Sequence, residues 1–143
     1  GGDAPAGGSR VRQDKLRVSM PLPPLDELRD FSADMGSRGG NPLTLQALAK
    51  AMLDTMEAAG AGAWLSRNEL KAVLMRVSRD KGLVDGLMAR MCNVRLDGRG
   101  VLSGHHEKAA YWCSVPLPPG QPQGPPLDAF HVRYTPAGKA QVV

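Results

Sequence analysis

Leu65-Ser66-Arg67-Asn68-Glu69-Leu70-Lys71, then Asp80-Lys81-Gly82-Leu83-Val84-Asp85, then Ala110-Tyr111-Trp112 is the stretch that decides the fold. Ser66 and Glu69 stand three apart ahead of an apolar run, the spacing of a capping box, so a helix starts there. Leu70, Val73, Leu74 and Val77 recur at helical spacing and are expected to face inward, leaving Arg67, Lys71 and Arg76 elsewhere. Ser78 to Gly82 breaks the pattern. A second helix over 83–92 then carries Leu83, Val84, Leu87, Met88 and Met91 inward, with Asp80 or a neighbour as its cap. Asn93 to Leu96 alternates like a strand, and Asp97-Gly98 is a tight-turn dipeptide. Val101-Leu102 and Ala110 to Val115 read as further strands, with His105 to Lys108 at a polar turn between them.

Upstream, Asn41 caps another helix with Pro42 at its first position. Leu45, Leu48, Met52 and Met56 form its apolar stripe, widened by Ala49 and Leu53, and Gly60 ends it. Gln46, Lys50, Asp54 and Glu57 make the polar side. Ala61 to Leu65 is short and apolar, suited to a single strand. Helix, strand, helix, helix, hairpin predicts an α+β domain over 41–115, a winged helix-turn-helix of three helices and a small antiparallel sheet.

The flanks differ in composition. The 143 residues include 17 Gly and 12 Pro, crowded toward the two ends. Residues 1–40 read as a flexible Gly/Pro-rich flank, with Arg10 to Arg17 as a solvated tail and 32–40 as a hinge. Within it Leu22, Leu25, Leu28 and Phe31 recur every third residue. They suit either a partner-docking peptide or a strap over the chain's own core. The strap is preferred, because a core of this size leaves surface to cover. Residues 116–143 read as a proline-rich spacer followed by a strand-like extension at Phe130 to Tyr134 and a loose end from Ala137.

Charge narrows the function classes. The net charge is +4. Residues 64–112 hold nine basic and five acidic groups, so the excess sits on the core of the predicted domain. A basic domain of this kind can meet phosphate, although the field is modest. Two cysteines, Cys92 and Cys113, are too few for a disulfide framework or a zinc site. No apolar run approaches a membrane span, and no signal-peptide core stands at the start. The chain does not begin with Met, so it is expected to be a fragment. No Ser/His/Asp or Cys/His arrangement or phosphate loop is present, so no enzyme, cofactor or small-molecule substrate is expected. His105-His106-Glu107 are adjacent on a strand and point to opposite faces, a poor metal site.

The run Ser66-Arg67-Asn68-Glu69-Leu70, with Asp80-Lys81-Gly82-Leu83-Val84-Asp85 and Tyr111-Trp112, resembles a domain of plant-lineage meiotic and anther regulators. These are the Dyad/Ameiotic proteins and the Male-sterility or Male-meiocyte-death PHD-finger proteins. Asp80, Gly82, Leu83 and Asp85 match the family pattern, whereas Lys81 replaces its usual Thr and Val84 its Leu. The resemblance covers Leu65 to Val115. It implies a winged-helix-like domain in a nuclear protein of meiosis, sexual differentiation or transcription. The family's zinc finger is absent, so chromatin reading by it is not implied.

Double-stranded DNA is therefore the first expected partner, met mostly through its backbone. Arg76, Arg79, Lys81 and Arg90 surround the second helix of the motif, and Arg95, Arg99 and Lys108 lie on the hairpin. These groups suit phosphate contacts better than base readout. The outward residues Asp85, Gly86, Ala89 and Arg90 make a poor reading face. The alternative is a winged helix that docks a protein without binding DNA. One contiguous basic face would favour nucleic acid, and an exposed apolar patch beside Gly86 and Ala89 would favour protein.

Overall fold

The computed structural model describes residues 9–32, 41–134 and 140–142. Its helices begin where local chemistry satisfies their free N–H groups. The Asn41 side chain accepts from the Leu43 amide at 2.8 Å and starts α2, Pro42–Ala59. Ser66 and Glu69 cap reciprocally: Ser66 Oγ accepts from the Glu69 amide at 3.1 Å, and Glu69 Oε1 from the Ser66 amide at 2.8 Å. That box starts α3, Arg67–Val77. Asp80 accepts from the Leu83 amide at 3.0 Å and starts α4, Lys81–Arg90, two residues before the expected boundary. Gly60 ends α2 with a φ of 104°, which an L side chain rarely adopts.

The chain is mixed α+β, with a five-stranded sheet in the order β1-β3-β4-β5-β2. The strands are β1 (Arg29–Asp30), β2 (Leu65–Ser66), β3 (Val94–Leu96), β4 (Arg99–His106) and β5 (Ala109–Pro116). All pairs are antiparallel except β1 with β3. Two tight hairpins connect the centre. Asp97-Gly98 (φ 53° and 76°) joins β3 to β4, and Glu107-Lys108 (φ 51° and 70°) joins β4 to β5. Positive φ at both central residues gives the primed turn whose twist matches the flanking strands.

Side chains alternate across β4 and β5, so the sheet has two covered faces. The inner face packs on the helices. Leu48, Met52 and Met56 of α2, Leu70 and Leu74 of α3, and Val84, Leu87 and Met88 of α4 surround Leu96, Val101 and Trp112. Val77 lies outside this core at 41% exposure, because it falls at the last turn of α3, where the chain leaves the core.

The outer face carries Leu102, Cys113 and Val115, covered by Leu16, Met20, Leu28, Trp64 and Leu117. This corrects the reading of residues 10–17 as a solvated tail: Ser9–Ser19 is α1. Few apolar residues suffice, because Leu16 and Met20 lie one turn apart and meet a sheet face that would otherwise be bare. Gln13 fastens the helix by donating to the Trp64 carbonyl and accepting from its amide, both at 2.7 Å. Gly104 and Gly100 make the seat: a Cβ at Gly104 would lie 2.9 Å from Met20 Sδ, and one at Gly100 would lie 3.0 Å from Leu28 Cδ1.

Both proline-rich segments fold onto the domain. Pro-Pro-Leu-Asp occurs twice, at 23–26 and at 125–128, and each copy enters a 3-10 turn, Leu25–Glu27 and Leu127–His131. Residues 25–30 thus form a 3-10 turn followed by β1 and not an α-helical turn. The spacer is held by backbone bonds: the Asp97 amide donates to the Pro125 carbonyl at 2.8 Å, and the Gly98 amide to the Gln123 carbonyl at 2.9 Å. Phe130, expected in a strand, lies in the second 3-10 turn. Its ring meets that of Phe31, with centroids 5.4 Å apart, inside the helical core. Val132–Tyr134 (β6) pairs with Ala140–Val142 (β7), away from the main sheet. Most of the expected hinge, 33–40, lies outside the described residues.

Candidate nucleic-acid interface

The cations named from the sequence fall into two groups. Arg95 and Arg99 belong to the framework. Arg95 Nε donates to Asp30 at 2.8 Å and ties β3 to β1, with its side chain 16% exposed. Arg99 meets Glu57 of α2 at 2.9 Å and donates to Ser114 Oγ at 3.2 Å, with its side chain 18% exposed. Neither guanidinium faces solvent freely enough to act as a phosphate clamp, and each has its charge matched internally.

Arg76, Arg79 and Lys81 are different. They are exposed and cluster where α3 turns into α4. Among the described residues none of the three has an ion pair. Local chemistry shapes the turn. Ser78 Oγ accepts from the Asp80 amide at 3.2 Å, and Asp80 then caps α4, so its carboxylate is engaged with backbone at the centre of the cluster. Lys108 is also exposed and without an ion pair among the described residues, but it sits on a separate element, the β4–β5 turn. Arg90 closes α4, where a cation favours the negative end of the helix.

Asp85, on the outward side of α4, does not present an open negative charge. Lys71 Nζ and Arg67 from α3 each reach its Oδ1 at 2.9 Å. The Lys71 hydrogen bond, with help from Arg67, holds this carboxyl below the ordinary range despite some desolvation. The clamp ties α3 to α4. Sequence spacing did not reveal it, because Arg67 and Asp85 are 18 residues apart on different helices. The rest of the outward side of α4 is small: Gly82 and Ala89 are exposed and Gly86 is half-buried.

Glu69 belongs to the same layer. Partial burial would raise its pKa, but hydrogen bonds from Ser66 and the charge of Arg12 hold it below the usual carboxylate range. Burial pushes the Cys113 thiol up to about 12, against the weaker pull of Arg17, so this cysteine stays protonated under the outer face. Among the described residues no group of three or more His, Cys, Asp or Glu could hold a metal ion, and no helix is long and apolar enough to cross a membrane.

The four apolar residues of the strap divide as well. Leu28 and Phe31 are buried in the outer and inner cores, Leu25 is half-buried, and Leu22 is exposed. No known family model matches the chain, and neither does any curated protein or solved structure.

Proposed function

We propose that the order α2-β2-α3-α4 followed by the β3-β4-β5 strands is a winged helix. In this reading α3 and α4 form the helix-turn-helix and the β4–β5 hairpin is the wing. The domain docks on the backbone of double-stranded DNA in a non-enzymatic nuclear regulator of transcription, sexual differentiation or meiosis. The observation that carries the DNA reading is the cluster of Arg76, Arg79 and Lys81 at the α3–α4 turn, exposed and without ion pairs among the described residues, while Arg95 and Arg99 are matched internally. In helix-turn-helix proteins this turn and the start of the second helix approach the duplex, and the wing reaches the adjoining backbone. Lys108 at the hairpin tip supplies that second contact. The glycine- and alanine-lined side of α4 lets the helix come close without base-reading side chains, so binding is backbone-directed. The likeness of Ser66–Leu70, Asp80–Asp85 and Tyr111-Trp112 to the Dyad/Ameiotic and Male-sterility domains supports the nuclear setting.

Fluorescence anisotropy on a random-sequence duplex across a salt series tests this. Four phosphate contacts predict a slope of log K against log salt of about −3.6. Arg79→Glu with Lys81→Glu should remove binding, while Arg95→Gln should leave the slope unchanged. No binding at low salt would defeat the DNA reading. It would favour the alternative, a winged helix docking a protein partner, for which the small-residue side of α4 is the supporting feature.

A further inference from the structure

Pro-Leu-Pro-Pro occurs twice, at 21–24 and at 116–119, and the two copies are presented oppositely. Proline fixes φ near the polyproline value and pushes the preceding residue into the extended region. Met20, Leu22 and Pro23 each precede a proline, so 20–24 is strongly biased toward the extended polyproline region by covalent geometry. Pro24 has φ −59° and ψ 132°, within that region. A polyproline helix has three residues per turn and therefore three edges.

The first copy turns one edge inward. Met20 is buried and Pro23 half-buried against the domain. A second edge, with Pro21 and Pro24, is exposed, and the third carries Leu22 at 49% exposure. Both ends are pinned, by Met20 against Gly104 and by Leu28 against Gly100, so the segment is already ordered. In the second copy the leucine, Leu117, is turned in, 6% exposed in the outer core with its amide donating to the Gly98 carbonyl at 2.9 Å. Its three prolines are exposed, but Pro116 ends β5 and Pro118-Pro119 lead into a turn in which the Gln121 amide donates to the Pro118 carbonyl at 3.0 Å.

We propose that Pro21–Pro24 is a preformed polyproline ridge that docks into an aromatic-lined, proline-binding groove of a partner protein. Such grooves take two edges of a polyproline helix and gain from its low ordering cost. Here two edges are offered and the third is the attachment to the domain. Arg17 lies before the ridge and Asp26 and Glu27 after it, all exposed, which gives it a basic and an acidic end to set its direction in the groove. The second copy exposes its prolines but runs from β5 straight into a turn, so it presents no polyproline run and does not compete.

The test titrates the full chain with purified SH3-, WW- and EVH1-type domains by calorimetry. At least one class should bind with one-to-one stoichiometry. Pro21→Ala with Pro24→Ala should weaken that binding by about tenfold or more. Leu22→Glu, which changes an exposed side chain outside the core, should do the same and serves if the double variant alters the fold. Pro118→Ala with Pro119→Ala should change nothing. Failure of every class to bind, wild-type affinity in the Leu22→Glu variant, or equal loss in the second-copy variant would each overturn the proposal. DNA binding by the α3–α4 turn should be the same in all these variants, which keeps the two readings separable.

Discussion

The two faces of the β4–β5 sheet are covered in different ways. The inner face meets three consecutive helices, each with its own cap and its own apolar stripe, drawn from one continuous length of chain. The outer face meets single anchors brought from far apart: Leu16, Met20 and Leu28 from one side of the domain in sequence, Trp64 from its middle and Leu117 from beyond it. The inner layer is periodic and self-capping. The outer layer is a set of clasps, each meaningful only once the sheet exists to receive it. A cover of the first kind can nucleate locally, whereas one of the second kind must follow the sheet.

That contrast is most severely tested at Leu74, fully buried between α2, α3 and the sheet. Leu74→Ala should cost about 2–5 kcal/mol and lower the melting midpoint of the whole domain, read by circular dichroism. Partial melting confined to α3 would break the picture of one cooperative inner layer. The next effect is smaller. Gly104→Val places side-chain atoms where Met20 packs. The cost should be about 1–3 kcal/mol, and α1 should become sensitive to trypsin at Lys15 and Arg17 while the helices stay folded. Loss of the entire fold would mean that the outer clasps are as essential as the helices.

The smallest effect is electrostatic. Asp85 is held below its ordinary pKa by Lys71 and Arg67, so its contribution to stability is complete above the unfolded carboxylate value. It fades as pH falls through the lower folded value. Because the group is well exposed, Asp85→Asn should cost less than about 1 kcal/mol near neutral pH. The difference between variant and wild type should vanish in strong acid. Equal differences at pH 7 and pH 2 would show that the clamp works through shape and not charge.

Much of the inner layer could be read directly. Asn41-Pro42, Ser66 with Glu69, and Asp97-Gly98 are local signals whose geometry needs no distant partner. The stripe Leu45, Leu48, Met52 and Met56 is buried as its spacing requires. The outer layer was illegible for a physical reason. Leu16 and Met20 make too thin a stripe to announce a helix, and β1 is two residues long and parallel to a partner far along the chain. The candidate site shows the same limit. Residue type alone cannot separate Arg95 from Arg79, because what distinguishes them is whether an Asp 65 residues away folds back beside the guanidinium. Clusters formed by neighbours in sequence, such as Arg76, Arg79 and Lys81, could be named, and the cations matched across the fold could not be excluded.

The contact between Phe31 and Phe130 has an architectural meaning of its own. Their rings are adjacent although nearly the whole domain lies between them in sequence. The two flanking segments therefore close on each other around the intervening domain, although α1 and β1 come before Phe31 and β6 after Phe130. The aromatic pair is a clasp that holds each flank through the other, so loss of either ring should loosen both.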